Sequence, residues 1–252
     1  MRIDLKGRRA LVTGGSRGVG AATARLLARA GADVGISYRS RHADADAVVA
    51  ELRDAGVRAW AHAGDLAEPE AVEELFRTAE SEFDGLDIVV ANAGIWPSED
   101  VPIAELSTAQ WRRTMGVNLD GVFYCVRAAA RVLAGGGRIV VIGSTAGQRG
   151  EAGHGDYAAT KGAVSALVKG VAVELAPRDI TVNCVAPGWI DTEMAAVPYD
   201  EGGREAIEAG IPLGRVASAE DIAGPIVFLC SSLARHITGE VMNVNGGAVL
   251  CG

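Results

Sequence analysis

"RRALVTGGSRGVGAATARLLARAGA", Arg8 to Ala32, sets the pattern from which the rest of the chain is built. A short apolar run ends in glycine, a glycine-rich turn follows, and an Ala-rich stretch of helical character closes near Gly31. The same alternation then recurs. "DVGISY", "VRAWAHAGD", "LDIVVANAG", "GRIVVIGS", "DITVNCVAPG" and "GEVMNVNGG" read as six further strands. Between them lie "ADADAVVAELRDAG", closed by Gly56, and "EPEAVEELFRTAESEFDG", with Pro69 in its first turn, where a missing N–H costs nothing. Two longer helices are expected over about 107–133 and 155–176, and a last one opens with Ser218 as N-cap in an S-x-x-D pattern. Strands nearly continuous in apolar residues are covered on both faces and hence parallel. The chain therefore predicts an α/β fold, a doubly wound three-layer sandwich on a seven-stranded parallel sheet. No linker or charge block divides it, so residues 1–252 read as one domain. The stretch from Trp189 to Pro212 shows little periodicity; at the edge of the sheet it reads as a lid.

Composition narrows the function. Of 252 residues, 49% are apolar, enough for a large core, and aromatics are few. The net charge of −8 has the wrong sign for a nucleic-acid binder. Cys125, Cys184, Cys230 and Cys251 form no CxxC pair and read as reduced thiols of a cytoplasmic protein. His42, His62, His154 and His236 show no metal-ligand spacing, so no metal is expected. The charged N-terminus lacks the apolar core of a signal peptide, and no apolar run is long enough to span a bilayer.

The turn "TGGSRGVG" spaces its glycines as Gly14, Gly18 and Gly20, which is not the usual G-x-G-x-x-G. The physics is shared: a tight turn, close backbone approach, and free N–H groups of a helix start facing an anion such as a pyrophosphate. In "DYAATKGAV", Tyr157 and Lys161 stand four residues apart and share a helix face. A nearby ammonium favours the phenolate, so Lys161 can tune a tyrosine that moves a proton. Ser144, thirteen residues before Tyr157, ends a strand at the ligand-binding edge of the sheet. Its hydroxyl can hydrogen-bond a substrate oxygen and stabilise developing negative charge. Asn118, in "GVNLDG", is a poor helix-interior residue placed inside a helical pattern.

The glycine turn, "ANAG" (Ala91 to Gly94), "YAATK" and "APG" (Ala186 to Gly188) together resemble the short-chain dehydrogenase/reductase family, in its order and spacing and over essentially the whole chain. The resemblance implies a single Rossmann-type domain, hydride transfer between a nicotinamide and a carbonyl or secondary alcohol, and a catalytic set of Asn118, Ser144, Tyr157 and Lys161. Asn118 would hold a water linking Lys161 to solvent, and Lys161 would also bind the nicotinamide ribose. The cofactor would lie against Gly14, Ser16, Arg17, Gly18, Val19 and Gly20. Asp65 and Leu66 would meet the adenine, Asn92, Ala93 and Gly94 the adenosine ribose, and Pro187, Gly188, Ile190 and Thr192 the nicotinamide. Where an NAD enzyme usually carries Asp or Glu, this chain has Tyr38, followed by Arg39 and Ser40. Arg39 and Arg17 suit a 2′-phosphate, so the reading is NADP(H).

Trp96, His154, Trp189 and Met194 are the candidates for the substrate pocket. "IPLGRVASAEDIAGPIVFLCSS" and "ITGEVMNVNGG" resemble the 3-oxoacyl-[acyl-carrier-protein] reductase branch, which implies a ketoreductase and a homotetramer. Arg131 matches a carrier-docking position of that branch, whereas Val173 stands where a second Arg is often found. A free ketone, a CoA thioester or a sugar-like alcohol therefore stays open as substrate. Two other functions remain in view. An NAD-dependent alcohol or polyol dehydrogenase is opposed by Tyr38-Arg39-Ser40, and a non-enzymatic cofactor-binding regulator by the complete proton-transfer set.

Overall fold

The computed structural model describes residues 3–250. Seven strands form one sheet: β1 (Arg9–Val12), β2 (Asp33–Tyr38), β3 (Ala59–Ala63), β4 (Ile88–Ala91), β5 (Arg138–Ile142), β6 (Thr181–Pro187) and β7 (Val241–Val244). Their order is β3-β2-β1-β4-β5-β6-β7, and every neighbouring pair is parallel. The order reverses between β1 and β4, which opens the crevice where such sheets bind ligands.

Strand residues alternate between two apolar layers. Ala10, Val12, Ile88, Val90, Val140 and Ile142 face helices α1 (Gly18–Arg29), α2 (His42–Asp54) and, further along the chain, the helix Ala219–Leu229. Leu11, Val89, Ala91, Ile139 and Val141 face α3 (Pro69–Phe83) and the helices of the opposite layer. That layer holds α4 (Thr108–Met115), α5 (Gly121–Val132) and, beyond the short α6 (Ala146–Arg149), the long α7 (Gly155–Leu175). Burial on both faces is the reason the strands read as unbroken apolar runs.

Local signals act as expected. Pro69 opens α3. Ser218 and Asp221 form a reciprocal capping box, with Asp221 N–H donating to Ser218 Oγ at 3.2 Å and Ser218 N–H donating to the Asp221 carboxylate at 2.9 Å. Cys125, Cys184 and Cys230 are free and buried, and Cys251 lies outside the described residues. Among the described residues, no helix is long and apolar enough to cross a membrane.

Two expectations need correction. The helix expected over 107–133 is broken: a π-helical turn, Gly116–Asp120, separates α4 from α5. Asn118 sits in that turn, and its amide binds Ile95 twice, accepting from the Ile95 N–H and donating to the Ile95 carbonyl, each at 2.8 Å. This tertiary pull on one side chain accompanies the wider turn, a feature common at functional sites. The stretch from Trp189 to Pro212 is also more ordered than its sequence implies. It carries a 3₁₀ turn at Glu193–Ala195, α8 (Ala196–Tyr199), a second 3₁₀ turn at Asp200–Gly202 and α9 (Gly203–Ala209). Each piece is too short to show a period, and Gly202 at φ +83 separates the last two. The remaining helix, α10, is the Ala219–Leu229 element already placed on the α1 side.

One close packing contact in the sheet is open to test. A Cβ built on Gly35 in β2 would lie 2.2 Å from the buried Trp60 ring of β3. Gly35→Ala should therefore lower stability by about 1–3 kcal/mol, as overpacking does. Thermal unfolding with the melting temperature unchanged would refute that packing.

Candidate active site

A cavity of about 540 Å³ opens at the C-terminal edge of the sheet. Its floor is the β1–α1 turn. Gly14 and Gly18 take φ +64 and φ +52, and a Cβ on Gly20 would stand 2.2 Å from the Gly14 carbonyl oxygen. Asn92, after β4, fixes this turn from the side: its amide donates to the carbonyls of Thr13 at 2.9 Å and Gly14 at 3.2 Å. Thr13 Oγ1 in turn accepts the N–H groups of Asn92 and Ala93. The start of α1 has no side-chain cap and no acidic residue in its first turn, so its N–H groups face the cavity uncompensated. A dinucleotide pyrophosphate fits that cradle.

The residues proposed for a cofactor converge on this one cavity. Ser16, Arg17 and Val19 line it beside the glycines; Tyr38, Arg39 and Ser40 line it after β2; Asp65 and Leu66 line it after β3. Ala93 and Gly94 follow β4, while Pro187, Gly188, Ile190 and Thr192 follow β6. Arg39 lies 3.5 Å from Asp65, so the cation and the acid read separately from the sequence are neighbours. Arg41, at the head of α2, also lines the cavity. It was missed because the family pattern points only to the residues just after β2.

At the far end stand Ser144, Tyr157 and Lys161. Ser144 follows β5 by two residues, and its Oγ accepts the Ala146 N–H at 3.1 Å. Ser144 also makes a side-chain hydrogen bond with Tyr157. Lys161 is 4% exposed, and its Nζ donates to the Ile142 carbonyl at 2.7 Å. Burial draws its ammonium down to about 8, and Cys184 opposes this. Close approach of the Ser144 turn to α7 requires Gly147, whose Cβ would sit 2.4 Å from the Lys161 carbonyl carbon.

The ionisation of Tyr157 differs from the simple expectation. Burial pushes the phenol up to about 12; a hydrogen bond with Ser144 pulls it down, and the charge of Glu151 pushes it up. Lys161 Nζ lies over the Tyr157 ring, 5.6 Å from its centroid, and does not offset the burial. Asn118 is fully buried behind Gly94 and does not line the cavity: a Cβ on Gly94 would stand 3.2 Å from Asn118 Oδ1 and 3.8 Å from Lys161 Nζ.

Trp96, Trp189 and Met194 line the substrate end, but His154 does not. It is buried behind Trp96, ring stacked on ring at 4.5 Å, with Nδ1 3.3 Å from Asp100. Standing just before α7 and covered by Trp96, it backs the wall instead of forming it. Trp96 meets Trp189 edge-on at 6.0 Å, and Trp189 leans on Tyr199, whose hydroxyl donates to the Ile190 carbonyl at 2.8 Å. Glu151 and Arg149 also line this end. Burial raises the Glu151 carboxyl above its ordinary range, while His154, Arg149 and a Trp96 hydrogen bond pull the other way. The signal for Glu151 was a carboxylate among the glycines of the segment between Ser144 and Tyr157.

Residues 14–249 match the family model described as Enoyl-(Acyl carrier protein) reductase. The chain is 41% identical over 250 residues to 3-oxoacyl-[acyl-carrier-protein] reductase FabG of Aquifex aeolicus (strain VF5), covering 98% of this chain and 99% of that protein. The chain belongs to the short-chain dehydrogenase/reductase family. It is also 42% identical to the cis-4-hydroxycyclohexanecarboxylate dehydrogenase of Sinomonas cyclohexanicum, over 95% of this chain and 96% of that one. A short-chain dehydrogenase from Burkholderia cenocepacia J2315, solved in complex with NADP, superposes with a TM-score of 0.91 at 41% identity, covering 97% of this chain and 98% of that one. As a short-chain dehydrogenase/reductase, the protein is an oxidoreductase that uses a nicotinamide cofactor.

Replacing Glu151 by Gln removes a negative charge that opposes the Tyr157 phenolate. The phenol should then ionise at lower pH, and, with Tyr157 as the proposed base, the rising limb of alcohol oxidation should move the same way. A pH–rate profile shifted upward, or unmoved, would contradict this placement of charge.

Proposed function

We propose that this protein is an NADP(H)-dependent ketoreductase acting on a 3-oxoacyl thioester or a similar ketone, a single catalytic domain working in the cytoplasm as a homotetramer. The observation that carries the reading is the convergence of Ser144, Tyr157 and Lys161 at one end of a cavity whose other end is the uncapped start of α1 ringed by Arg17, Arg39 and Arg41. The cofactor supplies the hydride; the protein supplies position and proton. Ser144 turns its O–H from Tyr157 to the carbonyl oxygen, and Tyr157 gives that oxygen its proton as negative charge develops. Lys161 holds the nicotinamide ribose. Asn118 maintains the proton relay behind Lys161 through the π turn it occupies, since its amide is engaged with Ile95.

NADP(H) is favoured because β2 ends in Tyr38, whose hydroxyl is 2.7 Å from His42 Nδ1, and not in a carboxylate that would repel a 2′-phosphate. The NADP complex of the Burkholderia relative supports the same choice. Homotetramer formation is supported by Trp111, Phe123 and Val173, large apolar side chains exposed on α4, α5 and α7. The exposed Val173 gives an acidic carrier nothing to pair with, so Arg131 alone would dock one and a CoA-like thioester suffices.

A second reading has one specific support. The Sinomonas relative is named as the dehydrogenase of a ring alcohol, and Trp96 and Trp189, set edge to face, offer an apolar corner to a ring. The two readings share their chemistry and differ in substrate.

Tyr157→Phe should reduce NADPH consumption with a short 3-oxoacyl thioester by about 10²–10⁴-fold, the usual contribution of a positioned acid. NADPH affinity should stay within about twofold, because the phenol contributes little to binding a cofactor held at its phosphates. Near-normal turnover in Tyr157→Phe would end the proposal. A 2-enoyl thioester should give no turnover, whereas preference for it over the 3-oxo compound would assign C=C reduction instead.

A further inference from the structure

Three guanidinium groups stand around the adenosine-side mouth of the cavity: Arg17 at the head of α1, Arg39 just after β2, and Arg41 at the head of α2. Each has a carboxylate. Arg39 has Asp65 at 3.5 Å, a residue of the same rim. Arg17 and Arg41 share a carboxylate from elsewhere. Both donate to Oε2 of Glu193, Arg41 from Nη2 at 3.2 Å. Arg41 also has Asp44 at 3.8 Å, one turn along its own helix.

Glu193 does not belong to the rim by sequence. It is 176 residues from Arg17 and 152 from Arg41, and it opens the first turn of the segment that follows β6. Its neighbours are Thr192, whose methyl would lie 3.5 Å from a Cβ on Gly18, and Met194 of the substrate end. A single oxygen from the lid thus ties the two arginines together across the cavity mouth.

A guanidinium recognises carboxylate and phosphate monoester with the same paired hydrogen bonds. The carboxylate carries one charge, and the monoester nearly two at neutral pH. The Arg17–Glu193 pair is about half exposed, with side-chain exposures of 49% and 61%. Exposed pairs of this kind are weak and exchange readily with a better anion.

We propose that Glu193 is an internal competitor for the 2′-phosphate of the cofactor, holding Arg17 and Arg41 in the free protein until that phosphate displaces it and releases the start of the lid. The proposal rests on the NADP(H) reading and extends it. It adds Arg41 to the phosphate site and makes Glu193 a specificity residue that acts against the phosphorylated cofactor alone. It also gives the two ends of the cavity a mechanical link, because Ile190 and Thr192 stand between β6 and the released residue. A lid tied at Glu193 is fastened to the adenosine end; an occupied phosphate site unfastens it.

The test uses 2′,5′-ADP and 5′-AMP as probes, titrated calorimetrically into the full-length wild type and Glu193→Gln, with amide hydrogen exchange over 193–209 as a second readout. Wild type should bind 2′,5′-ADP more tightly than 5′-AMP. Glu193→Gln should tighten 2′,5′-ADP about fivefold, the range an exposed pair can supply, and leave 5′-AMP within about twofold. Exchange over 193–209 should rise when 2′,5′-ADP binds wild type, and should already be high in Glu193→Gln without ligand. Unchanged or weaker binding of 2′,5′-ADP by Glu193→Gln overturns the proposal while leaving the NADP(H) reading intact. Equal binding of both probes by wild type overturns both, and identifies the cofactor reading as the one that failed.

Discussion

A buried ammonium without a carboxylate organises this site. Lys161 lies in the second apolar layer's long helix, 4% exposed, and among the described residues no acid is paired with it. An uncompensated charge there is costly, and the structure answers with the Ile142 carbonyl at the end of β5. The surrounding elements converge on that point. Gly94 passes between Asn118 and Lys161, and Gly147 lets the Ser144 turn rest on the α7 backbone. Asn118 ties the π turn to Ile95 from behind. The sheet edge, the turn after β4 and two helices thus meet around one cation, which keeps Ser144 and Tyr157 in register on the cavity wall.

Tyr157 is correspondingly held in its neutral form. Burial holds its phenol near 12, the Ser144 hydroxyl favours the phenolate, and Glu151 opposes it. Lys161 lies over the ring and does not lower the phenol. The missing favourable charge is the one an oxidised nicotinamide carries, and a cofactor cradled at the start of α1 would bring it to this end of the cavity. Cofactor binding and the ionisation of Tyr157 are then linked through electrostatics. In the reductive direction the same high value is an advantage, since a protonated tyrosine is the form that can donate.

Much of this was legible in the sequence because it is written in local periods and short spacings. Unbroken apolar runs gave seven strands, Tyr157 and Lys161 share a helix face at four residues apart, and Ser218 announced its capping box. What stayed hidden depends on residues far apart in the chain. Asn118 stood out as a poor helix-interior residue, but the π turn at Gly116–Asp120 shows only in its side chain's hold on Ile95, 23 residues away. The Glu193 bridge joins residues more than 150 apart, which no local pattern can express. His154 was placed correctly along α7 but not around it: Trp96 covers it, so the wall is the indole. The segment after β6 breaks into helices too short to leave a period.

The most direct measurement is the ionisation of Tyr157 itself. Ultraviolet titration of wild type minus Tyr157→Phe isolates this phenol from Tyr38, Tyr124 and Tyr199. It should be recorded for the free protein and with oxidised or reduced NADP bound. The account predicts a phenol that titrates near 12 in the free protein and falls only with the oxidised cofactor. A phenol already ionising below the ordinary tyrosine value of about 10 in the free protein, or one indifferent to the cofactor's charge, would contradict it.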